Sequence, residues 1–389
     1  MRVVEAPTVI DTHGRRSAGF APQHRTSKRI ALRGWDLVTP LGENVDVTWE
    51  ALLRGGFITD HSKCAGSPRA MELAQRVAVR LRLRNAIDSG AAVIVGTSKG
   101  SVENWLAIDG SLDRRGLGLG DIAAAVSGEL QGDGARLTVS AACASGLHAL
   151  VRGAMMVESG EVRQALVVAT EASVHPLFLG SFQRLGVLAK PGVGCRPFDQ
   201  NRDGFLMSEA AAAVLLEAAE SRESPRPPGR GCIPDATPIF LDRYALAADA
   251  THLTGCDPVA RALRHVLRRA IDGRCVDLVH AHGTGTRLND EAELAAIESA
   301  VEGAETPPVL YSHKGALGHS LGAAGLVSVV LNCQSHATGV VPPNIQTFDP
   351  LPTRDVLLSH DCVRRTVRRS IAIAAGFGGA IAAVSLLSE

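Results

Sequence analysis

Short apolar runs recur along this chain of 389 residues, and they constrain its fold more than any other feature. The runs are continuous instead of alternating between apolar and polar residues, which is typical of strands that helices cover on both faces. The pattern therefore predicts an α/β fold. The predicted strands are Arg29 to Val38, Ala91 to Val95, Ala165 to Thr170, Ala211 to Leu216, Ile239 to Leu246, Val276 to Ala281, Val309 to Ser312, Ile371 to Ala375 and Ala382 to Leu387.

The chain also repeats one layout. A strand, an excursion and a turn rich in Gly and Ala that opens an apolar helix occur in VSAACASGLHALVRGAM and again in YSHKGALGHSLGAAGLVSVVL, and AVIVGTSKG similarly resembles LVHAHGTGT. Two such units packed face to face would bring corresponding strand-to-helix turns to a shared centre. Residues 220–238, dense in Pro, Gly and charge, are predicted to form a linker or surface excursion. We therefore expect a flexible extension at residues 1–28 and two halves, 29–225 and 237–389, within one compact body.

Composition argues against several functional classes. The 40 Lys and Arg balance the 40 Asp and Glu, so the chain has no overall basic field for nucleic acid. No apolar run approaches the roughly 18 residues that span a bilayer. The eight cysteines contain no Cys-x-x-Cys pair, which is typical of free thiols in a reducing cytoplasm. Neither a metal-ligand cluster nor a phosphate-binding P-loop occurs, so we expect no metal and no cofactor.

The segment TVSAACASGLHAL carries the first candidate chemical group. Thr138 to Ser140 are predicted to end a strand and Ala144 to begin a helix, so Cys143 would lie at a helix N-terminus. Backbone N–H groups and the helix dipole at that place favour a thiolate. The same N–H groups could stabilise an oxyanion on a thioester carbonyl. The alternative is a small buried cysteine that packs a junction between strand and helix.

A histidine occupies a related position in VHAHGTGTRLNDEAE. His282 ends an apolar strand, and the threonine hydroxyls of the loop after it could hydrogen-bond a chain that carries amides. Asp290 and Glu293 fall near the start of the next helix, where acidic residues can also simply complement the helix dipole. His280 should point to the opposite face of the strand from His282, and we interpret it as structural.

Two further segments end strands in the second half. In YSHKGALGHSLGAAG, Lys314 follows a strand and His319 enters a helix rich in Gly and Ala. A lone lysine or histidine is usually structural, but this pair lies at the turn that corresponds to that of Cys143 in the repeat. In IAIAAGFGGA a strand runs into glycines around Phe377, which predicts a mobile loop that can place a backbone N–H and swing a ring.

Taken together, these segments resemble the β-ketoacyl-acyl carrier protein synthases, the condensing enzymes of fatty acid and type II polyketide synthesis. The resemblance covers roughly residues 28–389 and runs through VSAACASG, RPFDQNRDGFLMSEAAAAVLLE, AHGTGTRLNDEAE, SHKGALGHSLGAAG, VPPNIQ and GFGG in that order. It implies an α/β thiolase fold, in which two pseudo-duplicated halves stack as five αβαβα layers, usually in a dimer.

The resemblance also implies roles for individual residues. The catalytic Cys-His-His triad of the family corresponds to Cys143, His282 and His319. Cys143 would accept an acyl group from an acyl carrier protein, and the two histidines would stabilise the enolate formed when malonyl-carrier loses carbon dioxide. Lys314 resembles the lysine of the family and Glu293 its acidic companion, which together would hold charge around the histidines.

Other residues are similar to the family's gate and carrier contacts. Phe377 corresponds to the gating phenylalanine, whose N–H forms the oxyanion hole together with that of the nucleophile. Thr284 and Thr286, with Thr254, resemble the threonines that contact the phosphopantetheine arm. Arg184 lies where the family often has a basic residue that faces the acidic carrier protein.

Departures from the family leave alternatives open. Gly180 stands near the position of a bulky gate, so it could open the acyl pocket, and Ala380-Ile381 replace the usual Thr-Asn after GFGG.

The expected partners are acyl-carrier and malonyl-carrier proteins and a second chain, either identical or a related ketosynthase-like subunit. Thiolases and coenzyme A-primed synthases use Cys-His-Cys or Cys-His-Asn sets, which the histidine of GHSLGAAG disfavours. A non-catalytic chain-length factor would lack the nucleophile, which Cys143 supplies.

Overall fold

The computed structural model describes residues 29–66, 69–102, 104, 118–219, 238–255 and 257–389. The predicted extension at residues 1–28 lies outside these residues, as does all of the predicted linker except Pro238. Among the described residues, no helix is long and apolar enough to cross a bilayer.

The elements before residue 220 are five strands and five helices in the part of the chain described. The strands are β1 (Arg29–Val38), β2 (Ala92–Gly96), β3 (Arg136–Val139), β4 (Gln164–Glu171) and β5 (Ala210–Ala219). The helices are α1 (Val45–Leu53), α2 (Ala70–Arg84), α3 (Asp121–Leu130), α4 (Ser145–Ser159) and α5 (Pro176–Arg184).

The elements after residue 237 follow a similar plan. The strands are β6 (Ile239–Ala248), β7 (Leu278–His280), β8 (Val309–Tyr311), β9 (Val340–Val341), β10 (Leu357–Leu358), β11 (Val363–Arg364), β12 (Arg369–Ala375) and β13 (Ala380–Ser388). The helices are α6 (Arg261–Ile271), α7 (Arg287–Val301), α8 (Lys314–Leu317), a 3-10 turn (Leu321–Ala323) and α9 (Ala324–Thr338).

The strands hydrogen-bond in the order β10-β8-β7-β12-β13-β6-β1-β5-β4-β2-β3, and β9 pairs separately with β11. The two sets of strands join where β1 and β6 pair, over just Ile30 to Leu32. Within each set, parallel pairs such as β2–β4 and β7–β12 lie beside antiparallel pairs such as β4–β5 and β12–β13. The sheet is therefore mixed, and each half carries its own parallel core.

Alternating strand residues build the layers. In β2, Val93 and Val95 pack with the apolar faces of α2 and α3, whereas Ala92 and Ile94 pack with α4 and α9. The helices α4 and α9 also contact β12 or β13 of the second set, whose other face packs against α6 and α7. This arrangement is the predicted thiolase fold, with five αβαβα layers and α4 and α9 in the middle.

Glycines let the two central helices approach closely at their starts. A Cβ on Gly146 would lie 2.9 Å from Leu326 N and 3.1 Å from Gly322 O, and a Cβ on Gly325 would lie 2.9 Å from Leu147 Cγ. Each contact is shorter than van der Waals packing allows. The strand-to-helix turns of the two halves therefore meet at one place, as the repeat predicted.

Every predicted strand is present, although some are longer than predicted and two, β7 and β8, are shorter. β1 has the predicted bounds, whereas β5 continues past its apolar run to include Glu217. Glu217 tolerates this place because its carboxylate is paired with Arg33 at 2.7 Å and Arg163 at 2.9 Å. An apolar pattern cannot reveal a polar strand residue whose partners lie elsewhere in the chain.

Candidate active site

The cysteine turn, residues 141–145, connects β3 to α4 and holds Cys143. Ala142 has a φ of 49°, a left-handed conformation that costs a non-glycine residue about 1–2 kcal/mol. The Ser145 hydroxyl stabilises the turn, because its Oγ accepts from Ala141 N at 2.9 Å and donates to Ala142 O at 2.6 Å. The helix begins at Ser145, so the predicted position of Cys143 just before a helix N-terminus is confirmed.

The GFGG segment packs against this turn. A Cβ on Gly376 would lie 2.7 Å from Ala141 O and 3.1 Å from Cys143 N. Gly376 N donates to Ala380 O at 2.8 Å, which closes a tight turn between β12 and β13. The loop that carries Phe377 therefore borders the backbone of Cys143, and a side chain at position 376 has no room.

A cavity of about 430 Å³ opens at this turn. Most of the site residues expected from the resemblance line it: Cys143, His282, His319, Phe377, Thr254, Thr284 and Thr286. Phe182 and Phe205 provide an aromatic wall, with ring centroids 5.7 Å apart, and the Phe377 ring lies 6.3 Å from that of Phe182. The structure thus brings these distant segments together at one concave surface.

The two cavity histidines lie edge to face, with ring centroids 5.4 Å apart and an angle of 82° between the rings. Both are buried, and the Phe205 ring packs 5.0 Å from His319. His319 Nδ1 has no hydrogen-bond partner among the described residues. Burial lowers the pKa of both histidines well below 6.5, and the Lys314 charge lowers each pKa further. Both imidazoles are therefore neutral near neutral pH, when each carries one N–H donor.

The histidine loop, residues 282–286, is held by two buried carboxylates on α7. Glu293 accepts from His282 N at 2.6 Å and from the next peptide N–H at 2.7 Å. Asp290 accepts from Thr284 N at 3.0 Å and Gly285 N at 3.1 Å. Burial raises the pKa of Glu293 to about 7. These acids position the loop backbone and do more than complement the helix dipole.

Lys314 lies beneath the same loop. Its side chain is almost completely buried, and its Nζ donates to the carbonyl oxygen of His282. Burial lowers its pKa, and the Glu293 charge opposes that shift. Neither Lys314 nor Glu293 lines the cavity, so both reach the reacting region through the backbone of His282.

The surroundings of Cys143 do not favour the thiolate that its place at a helix start had suggested. Burial raises the pKa of Cys143 to about 11, and this effect outweighs the charges of Lys99 and Lys314, which lower it. The free energy needed to remove a thiolate from water is larger than the stabilisation that the N-terminus of one helix provides. Cys143 is therefore a thiol at rest.

Sequence reasoning missed two groups beside Cys143. Glu171 is fully buried, and its carboxylate accepts from Ser98 N at 3.0 Å, Ser173 Oγ at 2.5 Å and Gly322 N at 3.2 Å, which ties the two halves together. Lys99 lies next to Ser98 in the turn after β2. The likeness of AVIVGTSKG to LVHAHGTGT was the available signal, because it matches this turn to the histidine loop.

A third group missed from the sequence is a buried pair of histidines. His280 Nε2 and His313 Nδ1 are 2.8 Å apart, and His280 Nδ1 lies 2.8 Å from Asn332 Oδ1. His280 does not line the cavity, which agrees with the structural interpretation given to it. His313 precedes Lys314 directly, so this pair supports the turn that carries the buried ammonium.

Besides Lys314 and Glu293, two more of the expected residues lie outside the cavity lining. Arg184 is exposed at the end of α5, beside Leu185, which does line the cavity. Gly180 lies on the same helix, and a Cβ there would meet no described atom within 4 Å. The structure thus places both on the helix that carries Phe182, without bringing either to Cys143.

The layers and the cavity together define a thiolase-fold enzyme. Residues 67–222 match the family model of the β-ketoacyl synthase N-terminal domain, and residues 241–347 match that of the β-ketoacyl synthase C-terminal domain. The chain therefore belongs to the β-ketoacyl synthases, which are acyltransferases that make β-ketoacyl products.

Individual proteins agree with this assignment. A 3-oxoacyl-[acyl-carrier-protein] synthase 2 from Mycobacterium bovis is 28% identical over 409 residues, which covers 90% of this chain and 95% of the relative. The ishigamide ketosynthase/chain length factor shares 26% identity at a TM-score of 0.78, over 93% of this chain and 100% of that one. The type II polyketide ketosynthase AntDE, in complex with its acyl carrier protein, has a TM-score of 0.82 at 22% identity, again over 93% and 100%.

Proposed function

We propose that this protein joins an acyl group on Cys143 to a malonyl unit on an acyl carrier protein, releasing carbon dioxide and forming β-ketoacyl-carrier. The observation that carries the proposal is the shared cavity of Cys143, His282 and His319, in which one sulfur faces two neutral imidazoles. This set has a nucleophile and two N–H donors, which is what decarboxylative condensation needs.

In the first step the Cys143 sulfur attacks the carbonyl carbon of an acyl-carrier thioester. The new bond forms as the carrier sulfur leaves, and the carrier thiolate takes up the proton that Cys143 gives up. Because Cys143 rests as a thiol, a cavity histidine passes this proton during the attack. The backbone N–H groups of Cys143 and Phe377 stabilise the carbonyl oxygen as it becomes an anion.

In the second step a malonyl-carrier enters the same cavity. Its C–C bond to the carboxylate breaks, carbon dioxide leaves, and the electron pair forms an enolate. His282 and His319 donate hydrogen bonds to the enolate oxygen, which their low pKa permits without protonation near neutral pH. The enolate carbon then attacks the Cys143 acyl carbonyl, and the departing sulfur takes up a proton from solution.

Carrier proteins are the proposed partners in both steps. Thr254, Thr284 and Thr286 line the cavity where a phosphopantetheine arm would enter, and the Thr284 and Thr286 hydroxyls lie 2.9 Å apart. Arg184, exposed beside the cavity wall, would face the acidic carrier. The similar ketosynthase AntDE is in complex with its acyl carrier protein, which supports this proposal. The open space around Gly180 supports its proposed role in widening the acyl pocket.

A second candidate is the catalytic subunit of a heterodimer with a chain-length-factor-like chain. The similar ishigamide protein is such a ketosynthase/chain length factor, which favours this candidate alongside a homodimer. A non-catalytic partner subunit is disfavoured, because Cys143 and both histidines are present.

We also propose a cytoplasmic location, since the described cysteines are free thiols.

Intact-mass analysis after incubation with acyl-carrier proteins of varied chain length tests the nucleophile. Wild type should gain the mass of the acyl group, and Cys143→Ala should gain none. Cys275→Ala is the matched control, because Cys275 is an exposed free cysteine, and it should be acylated like wild type. Equal acylation of Cys143→Ala would contradict the assignment.

Release of carbon dioxide from malonyl-carrier tests the histidines separately. His319→Ala should still accept an acyl group but release carbon dioxide about 10²–10³-fold more slowly, as expected when one oxyanion donor is lost. Unchanged release would remove the role given to His319.

Gel filtration of the chain alone and with a co-encoded partner distinguishes homodimer from heterodimer.

A further inference from the structure

Lys99 carries an ammonium close to the nucleophile that the proposed mechanism does not use. It lies in the turn after β2, and that turn packs against the start of α4, where a Cβ on Gly96 would lie 2.7 Å from Ser145 O. Ser140 Oγ reaches the carbonyl oxygen of Ser98 at 3.5 Å. The lysine turn is therefore fixed to the cysteine turn from one side.

Aromatic rings hold the ammonium instead of a carboxylate. Lys99 Nζ lies 5.2 Å from the ring centroid of Phe178 and 5.5 Å from that of Phe182, and it donates to Ser98 Oγ at 2.9 Å. No ion pair of Lys99 with an acidic side chain is found among the residues described. Glu171 is reached only through Ser98, whose hydroxyl donates to it at 2.5 Å. Cation–π contacts fix the position of a charge without neutralising it.

The charge of Lys99 acts at Cys143. Phe182, one of the rings that hold the ammonium, lines the cavity together with Cys143. Lys99 lowers the pKa of Cys143 more than Lys314 does, although burial still dominates. Lys314 is also committed elsewhere, because its Nζ donates to the His282 carbonyl. Lys99 therefore differs from Lys314, because its ammonium acts on Cys143 without bonding to the histidine loop.

We propose that Lys99 is a positioning residue whose aromatic-held positive charge stabilises the sulfur of Cys143 as an anion during acyl transfer. The inference rests on the proposed function in one respect, that Cys143 is the acylated nucleophile. Lys99 touches neither the acyl group nor the carrier, and it acts through the sulfur. A half-buried charge near the nucleophile is useful there because the cavity removes the water that would otherwise stabilise a thiolate.

Other charged and titratable groups also face Cys143 and set the background for the effect. Glu171 raises the pKa of Cys143, in opposition to Lys99 and Lys314. The imidazoles of His282 and His319 line the cavity in their neutral form. At the cavity wall the remaining groups of this kind are Asp203, His252 and Arg287.

Alkylation by iodoacetamide measures the reactivity of Cys143 independently of any carrier protein. Peptide mass spectrometry would follow Cys143 between about pH 7 and pH 9, where the alkylation rate of a protonated thiol rises with its thiolate fraction. In Lys99→Met the whole profile should move up by about one pH unit, so that Cys143 reacts about 10-fold more slowly at a given pH. Lys99→Arg keeps the charge and should stay within about 3-fold of wild type.

The controls separate charge from folding. Cys275, exposed in the same protein, should react at an unchanged rate in every variant, and Lys63→Met removes an exposed lysine without changing Cys143. Lys99→Gln is a second neutral variant, used where Lys99→Met alters thermal unfolding. An unshifted Cys143 profile in the neutral variants, or an equal slowing in Lys99→Arg, overturns the inference. Failure of wild-type Cys143 to take an acyl group would instead overturn the proposed function, whatever the alkylation profiles show.

Discussion

The cysteine turn and the histidine loop come from corresponding positions of the repeat, yet they are held in different ways. The cysteine turn depends on close backbone packing, a strained Ala142 and one hydroxyl, with charges at a distance. The histidine loop lies over two buried carboxylates and a buried ammonium, which bond directly to its backbone. One turn is positioned by shape and the other by charge.

The difference follows from what each turn must do in the proposed reaction. A sulfur nucleophile needs a precise direction and close access for substrate, which small residues and a tight turn provide. A neutral histidine donor such as His282 needs a fixed orientation, which charged hydrogen bonds to its backbone provide. Substitutions that remove charge should therefore damage the histidine loop most, and substitutions that add volume should damage the cysteine turn.

The largest effect is expected for Glu293→Gln. The carboxylate of Glu293 accepts from two peptide N–H groups of the histidine loop and from Asn289 Nδ2 at 3.1 Å. The amide oxygen of glutamine can accept from some of these donors, but its NH₂ group must face another N–H donor, with which it cannot hydrogen-bond. We expect the free energy of unfolding to fall by about 3 kcal/mol, because buried hydrogen bonds to a charged group are lost. Urea unfolding measures it.

Glu302→Gln supplies the control for this variant. Glu302 is exposed at the end of the same helix, and its substitution should change stability by less than about 0.5 kcal/mol. In Glu293→Gln, release of carbon dioxide should fall more than acylation of Cys143 does, since the His282 donor moves and the nucleophile does not. Equal stability of the two variants would show that shape, not charge, holds the histidine loop.

The next effect, on the cysteine turn, is expected for Gly376→Ala. The added Cβ would lie 2.7 Å from Ala141 O, and backbone cannot move aside as a flexible side chain can. We expect a loss of about 2 kcal/mol from this overpacking. Acylation of Cys143 should slow by about 10-fold or more, because the nucleophile is displaced from its direction of attack. The acylation rate and urea unfolding measure the two effects.

Gly128→Ala is the matched control for added volume. Gly128 lies on α3, and a Cβ there meets no described atom within 4 Å. Alanine is the better helix former, so this variant should be more stable by up to about 1 kcal/mol and should acylate like wild type. If Gly376→Ala also acylates normally, the close packing of the GFGG segment does not position Cys143.

The same contrast decides how far the sequence could predict the site. The shared place of Cys143, His282, His319 and Phe377 could be predicted because strand ends and glycine-rich turns are local patterns, and the resemblance implied a role for each. The continuous strands predicted the α/β class, and the resemblance implied the thiolase fold. The protonation of Cys143 could not be predicted, because it depends on burial and on the charge of Lys99, which lies in the turn after β2.

Buried polar partners were hidden for a similar reason. Glu171 bonds to Ser98, Ser173 and Gly322, and the last of these is 151 residues away. His280 and His313 meet across 33 residues. Such groups carry no signal in periodicity, since a buried charge and an exposed one look alike in a sequence. Their cost is visible only after the partners that satisfy them are in place.

The smallest predicted effect is the dependence of stability on pH, which the buried histidines of the second half of the chain control. Burial lowers the pKa of His280 to about 3 and lowers those of His282, His313 and His319 well below 6.5. The unfolded chain therefore binds protons below about pH 6.5 that the folded protein does not, so stability is lost as pH falls through this range. Burial also raises the pKa of Asp290 and raises that of Glu293 to about 7 from its unfolded value of 4.5, and these two carboxyls act with the opposite sign, but the four histidines outnumber them.

His313→Gln tests this linkage in a residue that does not line the cavity. Each such histidine steepens the loss of stability by about 1.4 kcal/mol per pH unit well below its unfolded pKa, so this variant should lose stability less steeply by that amount. Urea unfolding between about pH 5 and pH 6 measures the slope, even if the variant is less stable throughout. His265→Gln, an exposed histidine on α6, should keep the wild-type slope. Equal slopes in both variants would mean that burial does not hold His313 neutral in the folded protein.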